Sequence, residues 1–315
     1  MKKRIVELDY LKGILILLMV LFHLEYINNV YPVLNKLVYT FHMSGFLIIS
    51  GFLTNINKSI VEFSKSVLQL LVPYLIFESL YVVMIFSFSS ILSTSNKLSS
   101  LSFSDYLNIV FCNPIGTYWY LHTLVVCMVM YYLVYHIIRL KNFSASVVLI
   151  ALLYLMTCLI GVSFSNTIYF LIGVIIFRCN NSFKSIIQPS LWSLIPLVVL
   201  SFSINNLNSG SLPGVIITIL MLSVLLVLFD YLSNVVKKLF IYLGRNSLSI
   251  VVFSPVFTFP TRYFASYFAF DHTAILFGIF SLVFVIGGCL FSIRVIDAIC
   301  LSRLIFYKKN CYVKF

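Results

Sequence analysis

Long apolar runs follow one another almost without interval along this chain, and they leave it one kind of environment to fold in. Read against the breakers between them, they fall at roughly 8–28, 33–54, 66–92, 117–139, 144–161, 163–179, 190–204, 213–230, 240–258 and 271–294. Most approach or exceed the ~18 residues that mark a helix able to cross a bilayer. In hydrocarbon a lone segment can satisfy its own backbone only as a helix. With 61% of 315 residues apolar and 17% aromatic, the chain lies far outside the range of water-soluble globular proteins. The expectation is an all-α polytopic integral membrane protein of about ten transmembrane helices, one domain over residues 1–315 with no soluble domain.

The net charge of +12 raises nucleic acid as a partner, but the basic residues stand in ones and twos at the edges of apolar runs and form no patch. No nucleic-acid partner is expected. The positive-inside rule accounts for them better. With a cytoplasmic amino terminus, sixteen of the Lys and Arg residues fall inside: Lys2, Lys3, Arg4, Lys58, Lys65, Arg139, Lys141, Arg178, Lys184, Lys237, Lys238, Arg294, Arg303, Lys308, Lys309 and Lys314. Only Lys36, Lys97 and Arg262 fall outside, and Lys12 and Arg245 sit just within the membrane near the inner face. Both termini are therefore expected in the cytoplasm.

Seven cysteines show neither CxxC nor Cys/His metal spacing, so no disulfide and no metal are expected. The MKKR start resembles the first half of a signal peptide, but no small-residue cleavage site follows, and it is read as the start of a first membrane helix. The one sizeable loop, about residues 93–116, begins Ser-rich and then reads FSDYLNIVF, a short amphipathic segment expected over the outer mouth.

Against this apolar background the titratable groups stand out. Asp9, Lys12, His23, Glu25 and His42 fall within thirty-four residues of a chain that is 10% charged. A titratable group inside a membrane segment is expensive unless it faces a protein interior or a water-filled cavity, so each is a functional candidate. Eleven residues separate Lys12 from His23, which on a continuous helix is three turns plus about 20°, with ~16 Å along the axis. Asp9 falls within about 40° of the same stripe. Glu25, two residues beyond His23, points about 200° away and could hold that imidazole only if the helix unwound locally. His42 in the second run, His122 in the fourth and Glu78 in the third reach overlapping depths, and the expectation is one enclosed polar cavity open to the outside. Plainer roles exist for each: an interhelical hydrogen bond for a buried histidine, snorkelling for Lys12 and an interface position for Glu25.

A neutral buried histidine suits general-base work on a hydroxyl, because the ordinary pKa of imidazole is already near neutrality. A cationic site three turns away suits a donor with an anionic head and an extended arm. Acyl-coenzyme A has that shape.

The opening RIVELDYLKGILILLMVLFH resembles the start of the acyltransferase-3 family of membrane acyltransferases, in which a basic residue, ten positions and a histidine form the leading motif. FHMSGFLIISGFL at 41–53 is similar to the aromatic, small-residue and Ser-Gly pattern of that family, the fucose 4-O-acetylase-like branch in particular. LLVPYLIF at 70–77, TYWYLHTL at 117–124 and LGRNSLSI at 243–250 resemble later landmarks in the same order. The resemblance implies a membrane-bound O-acetyltransferase that moves an acetyl group from cytoplasmic acetyl-CoA, or another acyl-CoA, to a hydroxyl of a cell-surface polysaccharide or lipid-linked glycan. The implied setting is the bacterial cytoplasmic membrane, with no permanently bound cofactor, membrane lipid as a neighbour and a homo-oligomer compatible with the sequence.

The resemblance further implies His23 as the catalytic base; His42 and His122, by their overlapping depths, are expected to complete the catalytic set by orienting or binding the acceptor. Lys12 takes the place of the family's usual arginine, keeping the charge without the bidentate fork. With Asp9, Lys65, Gln69 and Arg245 it forms the expected acyl-donor site, Lys65 and Gln69 standing where relatives carry an arginine pair. Glu25, Glu78, Trp119 and Ser254 are the expected acceptor-binding residues, Ser254 falling after LGRNSLSI where many relatives have a histidine. Two other classes use the same features: a transporter or flippase for a glycan or acylated substrate, and a non-catalytic subunit of a polysaccharide assembly.

Overall fold

The computed structural model describes residues 4–87, 102–138, 142–180 and 182–315. Among these residues every regular element is helical: α1 (Val6–Phe22), α2 (Glu25–Val30), α3 (Pro32–Leu53), α4 (Ile60–Ser87), α5 (Phe103–Phe111), α6 (Trp119–Tyr132, continued by a π-turn at Leu133–Ile137), α7 (Asn142–Ile160), α8 (Phe164–Asn180), α9 (Phe183–Ile186), α10 (Leu194–Ser201), α11 (Leu212–Tyr231), α12 (Asn234–Arg245), α13 (Ser247–Phe264), α14 (Ile275–Ala298) and α15 (Ser302–Ile305). Lys2, Lys3, Lys97, Arg139 and Lys141 and the Ser-rich start of the 93–116 loop lie outside the described residues.

Among the described residues six helices are long and apolar enough to cross a membrane: Pro32–Leu53, Ile60–Ser87, Trp119–Ile137, Leu212–Tyr231, Ser247–Phe268 and Ile275–Ala298. Shorter apolar helices occupy Ala145–Ile160, Phe164–Cys179 and Leu191–Ser201, and α1 adds a further one of 17 residues. Among the described residues each of the ten runs expected from sequence has a helical counterpart, two of them differing in extent. The protein is an all-α polytopic membrane protein.

Two runs differ from expectation. The first is not continuous over 8–28: α1 ends at Phe22, Leu24 is extended, and α2 starts afresh at Glu25. The ring of His23 caps the end, donating from Nδ1 to the Met19 carbonyl at 2.6 Å, while the Leu24 N–H tightens onto the Leu21 carbonyl at 3.2 Å. The ninth run, 240–258, is two helices, because Asn246 leaves the helical region and spends its side chain on local and distant carbonyls. The part before the break, α12, carries Lys237 and Lys238 and buries Leu243 and Gly244 near its end.

Polar caps place several starts. FSDYLNIVF forms α5 as expected, closed by a Ser102/Asp105 capping box. Ser211 and Ser233 cap α11 and α12. Asp271 opens the last long helix, accepting from the N–H groups of Thr273 and Leu276. Hydrogen bonds from Ser102 hold the Asp105 carboxyl below its ordinary range, and those from the Thr273 hydroxyl and the Leu276 N–H do the same for Asp271. Both caps act only while ionised, so their contribution fades as pH falls through the depressed pKa.

The chain divides into two compact units, one of residues 4–53, 168–295 and 311–315, the other of 54–167 and 296–310. In the first, α1 packs against α12, α3, α11 and α13. The approach to α12 is backbone to backbone: a Cβ on Gly13 would fall on the Phe240 carbonyl, and one on Gly244 would fall on the Asp9 carbonyl. A second reciprocal pair joins α3 to α8, Gly51 against the Phe170 carbonyl and Gly173 against that of Ile48. In membranes, where apolar area gives helices no preference for one another over lipid, such close approach is a main source of association. In the second unit α4 packs on α6, with the rings of Phe63 and Tyr132 stacked at 3.8 Å.

The glycine contacts predict a sharp contrast. Gly13→Ala and Gly244→Ala press a methyl onto a carbonyl that cannot rotate away, and should each destabilise the detergent-purified protein by ~1–3 kcal/mol or more. Gly287→Ala, where nothing lies within 4 Å, should be neutral or slightly stabilising. Thermal unfolding of the three variants compares them directly.

Candidate active site

Near the start of α1 the buried carboxylate of Asp9 gathers three cations. Its Oδ1 lies 2.8 Å from Lys12 Nζ, one turn along the same helix, and its Oδ2 lies 2.5 Å from Arg4 Nε and 3.6 Å from Arg245 Nε. Arg245 arrives because Gly244 lets the end of α12 touch the backbone of Asp9. One carboxylate balances one of the three charges, so the cluster keeps an excess of two positive charges. The adjacent Glu7–Lys184 pair, at 2.7 Å, is neutral and leaves that excess unchanged. Lys12, Arg245 and Arg4 keep 18%, 34% and 55% of their side-chain surface exposed, so the cluster is open enough to meet an anion.

At the other end of α1 two imidazoles meet. The rings of His23 and His42 are 6.4 Å apart between centroids and nearly perpendicular. Each contacts a carbonyl of its own helix through Nδ1, His23 with Met19 at 2.6 Å and His42 with Val38 at 2.7 Å. A carbonyl oxygen only accepts, so in the neutral rings the proton sits on Nδ1 and Nε2 keeps its lone pair. His42 Nε2 is buried without a hydrogen-bond partner. Two nitrogen bases, His42 buried and His23 partly buried, are thus held with their tautomers set by the backbone.

Tyr39 completes this group. Its ring stacks on His23 at 5.5 Å and meets His42 edge-on at 5.1 Å, and its hydroxyl donates to the Phe22 carbonyl at 3.2 Å, the last residue of α1. Tyr39 therefore contacts both imidazoles and the last residue of α1, next to His23. Glu25 does not turn to His23, although the helix does unwind between them. It pairs with Arg262 at 3.7 Å. Ser254, buried on α13, donates to the Val251 carbonyl at 3.4 Å.

In the other unit, Glu78 and His122 hold the same stretch of chain. Glu78 Oε1 accepts from the Ile115 N–H at 2.8 Å, and His122 Nε2 bonds the Phe111 carbonyl at 2.9 Å. Tyr74, one turn before Glu78, donates to the Val110 carbonyl and lies 5.7 Å from the His122 ring. Glu78 Oε2 and Thr117 Oγ1 are buried without partners. Trp119 opens α6 edge-on to Tyr120 at 6.5 Å. Lys65 is exposed on α4, and Gln69 donates to the Tyr307 carbonyl at 3.3 Å.

The structure thus brings together Asp9, Lys12 and Arg245 in one group and His23 and His42 in another, while Glu78 and His122 share a third. Sequence reasoning missed Tyr39 and the pairing of Arg4 with Asp9. Tyr39 was findable, standing three residues before His42 and so on the same helical face. The reach of Arg4 to Asp9 depends on the chain before α1, outside the helical periodicity.

Comparison with curated proteins finds no match, and comparison with solved structures finds none either. The family model described as an acyltransferase domain matches residues 5–294, a span that contains the Asp9 cluster except for Arg4, the imidazole pair and the Glu78–His122 group. With nearly its whole length matched, the chain belongs to the acyltransferase-3 family and is a membrane acyltransferase.

Proposed function

We propose that this protein transfers an acetyl group from cytoplasmic acetyl-CoA to a hydroxyl of a cell-surface polysaccharide or its lipid-linked precursor, at the bacterial cytoplasmic membrane. The observation that carries the reading is that α1 has an excess of positive charge gathered at its start by Lys12, Arg4 and Arg245, and His23 at its end, where that ring meets His42 of α3. The Lys and Arg distribution supports a cytoplasmic start for that helix. Lys12, Arg245 and Arg4 then meet the donor phosphates, with Asp9 keeping the cations in place. An extended pantetheine arm matches the ~16 Å of helix between Lys12 and His23.

At the imidazole end, the acceptor hydroxyl gives its proton to His23 Nε2 while its oxygen attacks the thioester carbonyl. The C–S bond breaks, the ester forms, and the coenzyme thiolate recovers the proton from the imidazolium. His42 Nε2 accepts a hydrogen bond from a second acceptor hydroxyl and orients it. Lys65 and Gln69 on the donor side, and Glu25, Glu78, His122, Trp119 and Ser254 on the acceptor side, are assigned to binding on their positions in the family motifs and in the chain.

Purified protein supplied with radiolabelled acetyl-CoA and glycan acceptor tests the reading. His23→Ala should lower transfer by about 100-fold or more, the usual worth of a general base, with insertion unchanged. Normal glycan acetylation by that variant would sink the assignment, and wild-type protein that neither binds nor turns over the donor would favour a transporter.

The donor site makes a separate prediction. Lys12→Ala should raise the KM for acetyl-CoA by roughly tenfold, since each 1.4 kcal/mol of binding is tenfold, whereas Lys12→Arg should stay within a few-fold of wild type. Steady-state kinetics against donor concentration reads the difference.

A further inference from the structure

The last five residues, Cys311–Phe315, lie against the junction of α12 and α13, and their contacts converge on it. The side chain of Asn246, 1% exposed, is engaged at three points. Its Nδ2 donates to the Val313 carbonyl at 3.1 Å and to the Tyr242 carbonyl at 3.0 Å, and its Oδ1 accepts from the Val313 N–H at 3.0 Å. The amide thus pairs with Val313 as a neighbouring strand would. On either side of it, the Tyr312 and Tyr242 hydroxyls lie 2.8 Å apart, and the rings of Phe315 and Tyr242 meet edge-on at 5.3 Å. The Arg294 guanidinium stands 4.4 Å over the Tyr312 ring and donates to its hydroxyl.

Asn246 is the residue after Arg245. Of the three cations on Asp9, Arg245 makes the longest contact, 3.6 Å against 2.5 and 2.8 Å. A single ion pair of that length holds a long side chain weakly. Its place is set by the backbone that carries it, pressed on one side against Asp9 through Gly244 and tied on the other through Asn246 to Val313. Gly244, Arg245 and Asn246 therefore act as one device: close approach, charge and anchor.

We propose that Cys311–Phe315 is a positioning clasp, which through Asn246 locks the α12–α13 junction and keeps Arg245 on the Asp9 cluster. Its effect on the donor rests on the function proposed above; the clasp itself does not. Asn246 and Tyr312 are positioning residues.

The test uses the full chain, a variant lacking 311–315, Tyr312→Phe and Arg245→Ala, all purified in detergent. Amide hydrogen exchange over 244–250 reads the clasp without any donor and should quicken by about tenfold or more in the deletion, the signature of local opening. Acetyl-CoA affinity should weaken by roughly fivefold in the deletion, and by less than about twofold when the deletion is made on top of Arg245→Ala, because both changes remove one contribution. Unchanged exchange would overturn the clasp, and so would losses that multiply in the double variant, as expected of a merely structural tail. A wild-type chain that binds no acetyl-CoA while exchange quickens on deletion would remove the donor reading and leave the clasp standing. Should the deletion fail to fold, Tyr312→Phe carries the same comparisons, with exchange expected to rise more modestly.

Discussion

The contact between α1 and α12 is the constraint on which the candidate site depends. α1 and the short, lysine-bearing α12 approach each other through Gly13 and Gly244. Each removes the side chain that would hold the opposite carbonyl away. The consequence is chemical as well as mechanical. Gly244 touches the backbone of Asp9, so the next residue, Arg245, can reach its carboxylate. A cation from a late part of the chain thereby joins Lys12 and Arg4, and the cluster keeps a surplus of positive charge.

The far end of α1 shows how a helix terminus can set up a base. A side chain that donates to the carbonyl four residues back competes with continuation of the helix, and at His23 the helix stops. His42 makes the same bond within an unbroken helix, so the bond alone does not break a helix. What it does in both places is put the ring proton on Nδ1 and leave Nε2 as the base. Tyr39 braces the arrangement, its ring against both imidazoles and its hydroxyl on the carbonyl of the last residue of α1.

Family membership and geometry bear on different questions. The match over residues 5–294 makes the protein a membrane acyltransferase. In the second unit, Glu78, His122 and Tyr74 each bind the backbone of 110–115, so these residues shape a segment of chain as well as offering polar atoms.

Sequence alone determined the class of fold and most helix positions, because hydrophobic length and capping residues act over a few neighbours. The same locality made Asp9, Lys12, His23 and His42 recognisable as polar groups in the wrong solvent, and ordered motifs made the family recognisable. Tertiary structure decided which of them meet. The end of α1 at His23, with Leu24 extended and Tyr39 bonded to the Phe22 carbonyl, is not encoded in periodicity, and the break in the ninth run is held by a partner 67 residues away. Arg245 on Asp9 follows from a glycine whose value lies in what it lacks, and only packing reveals where an absent side chain lets two backbones touch.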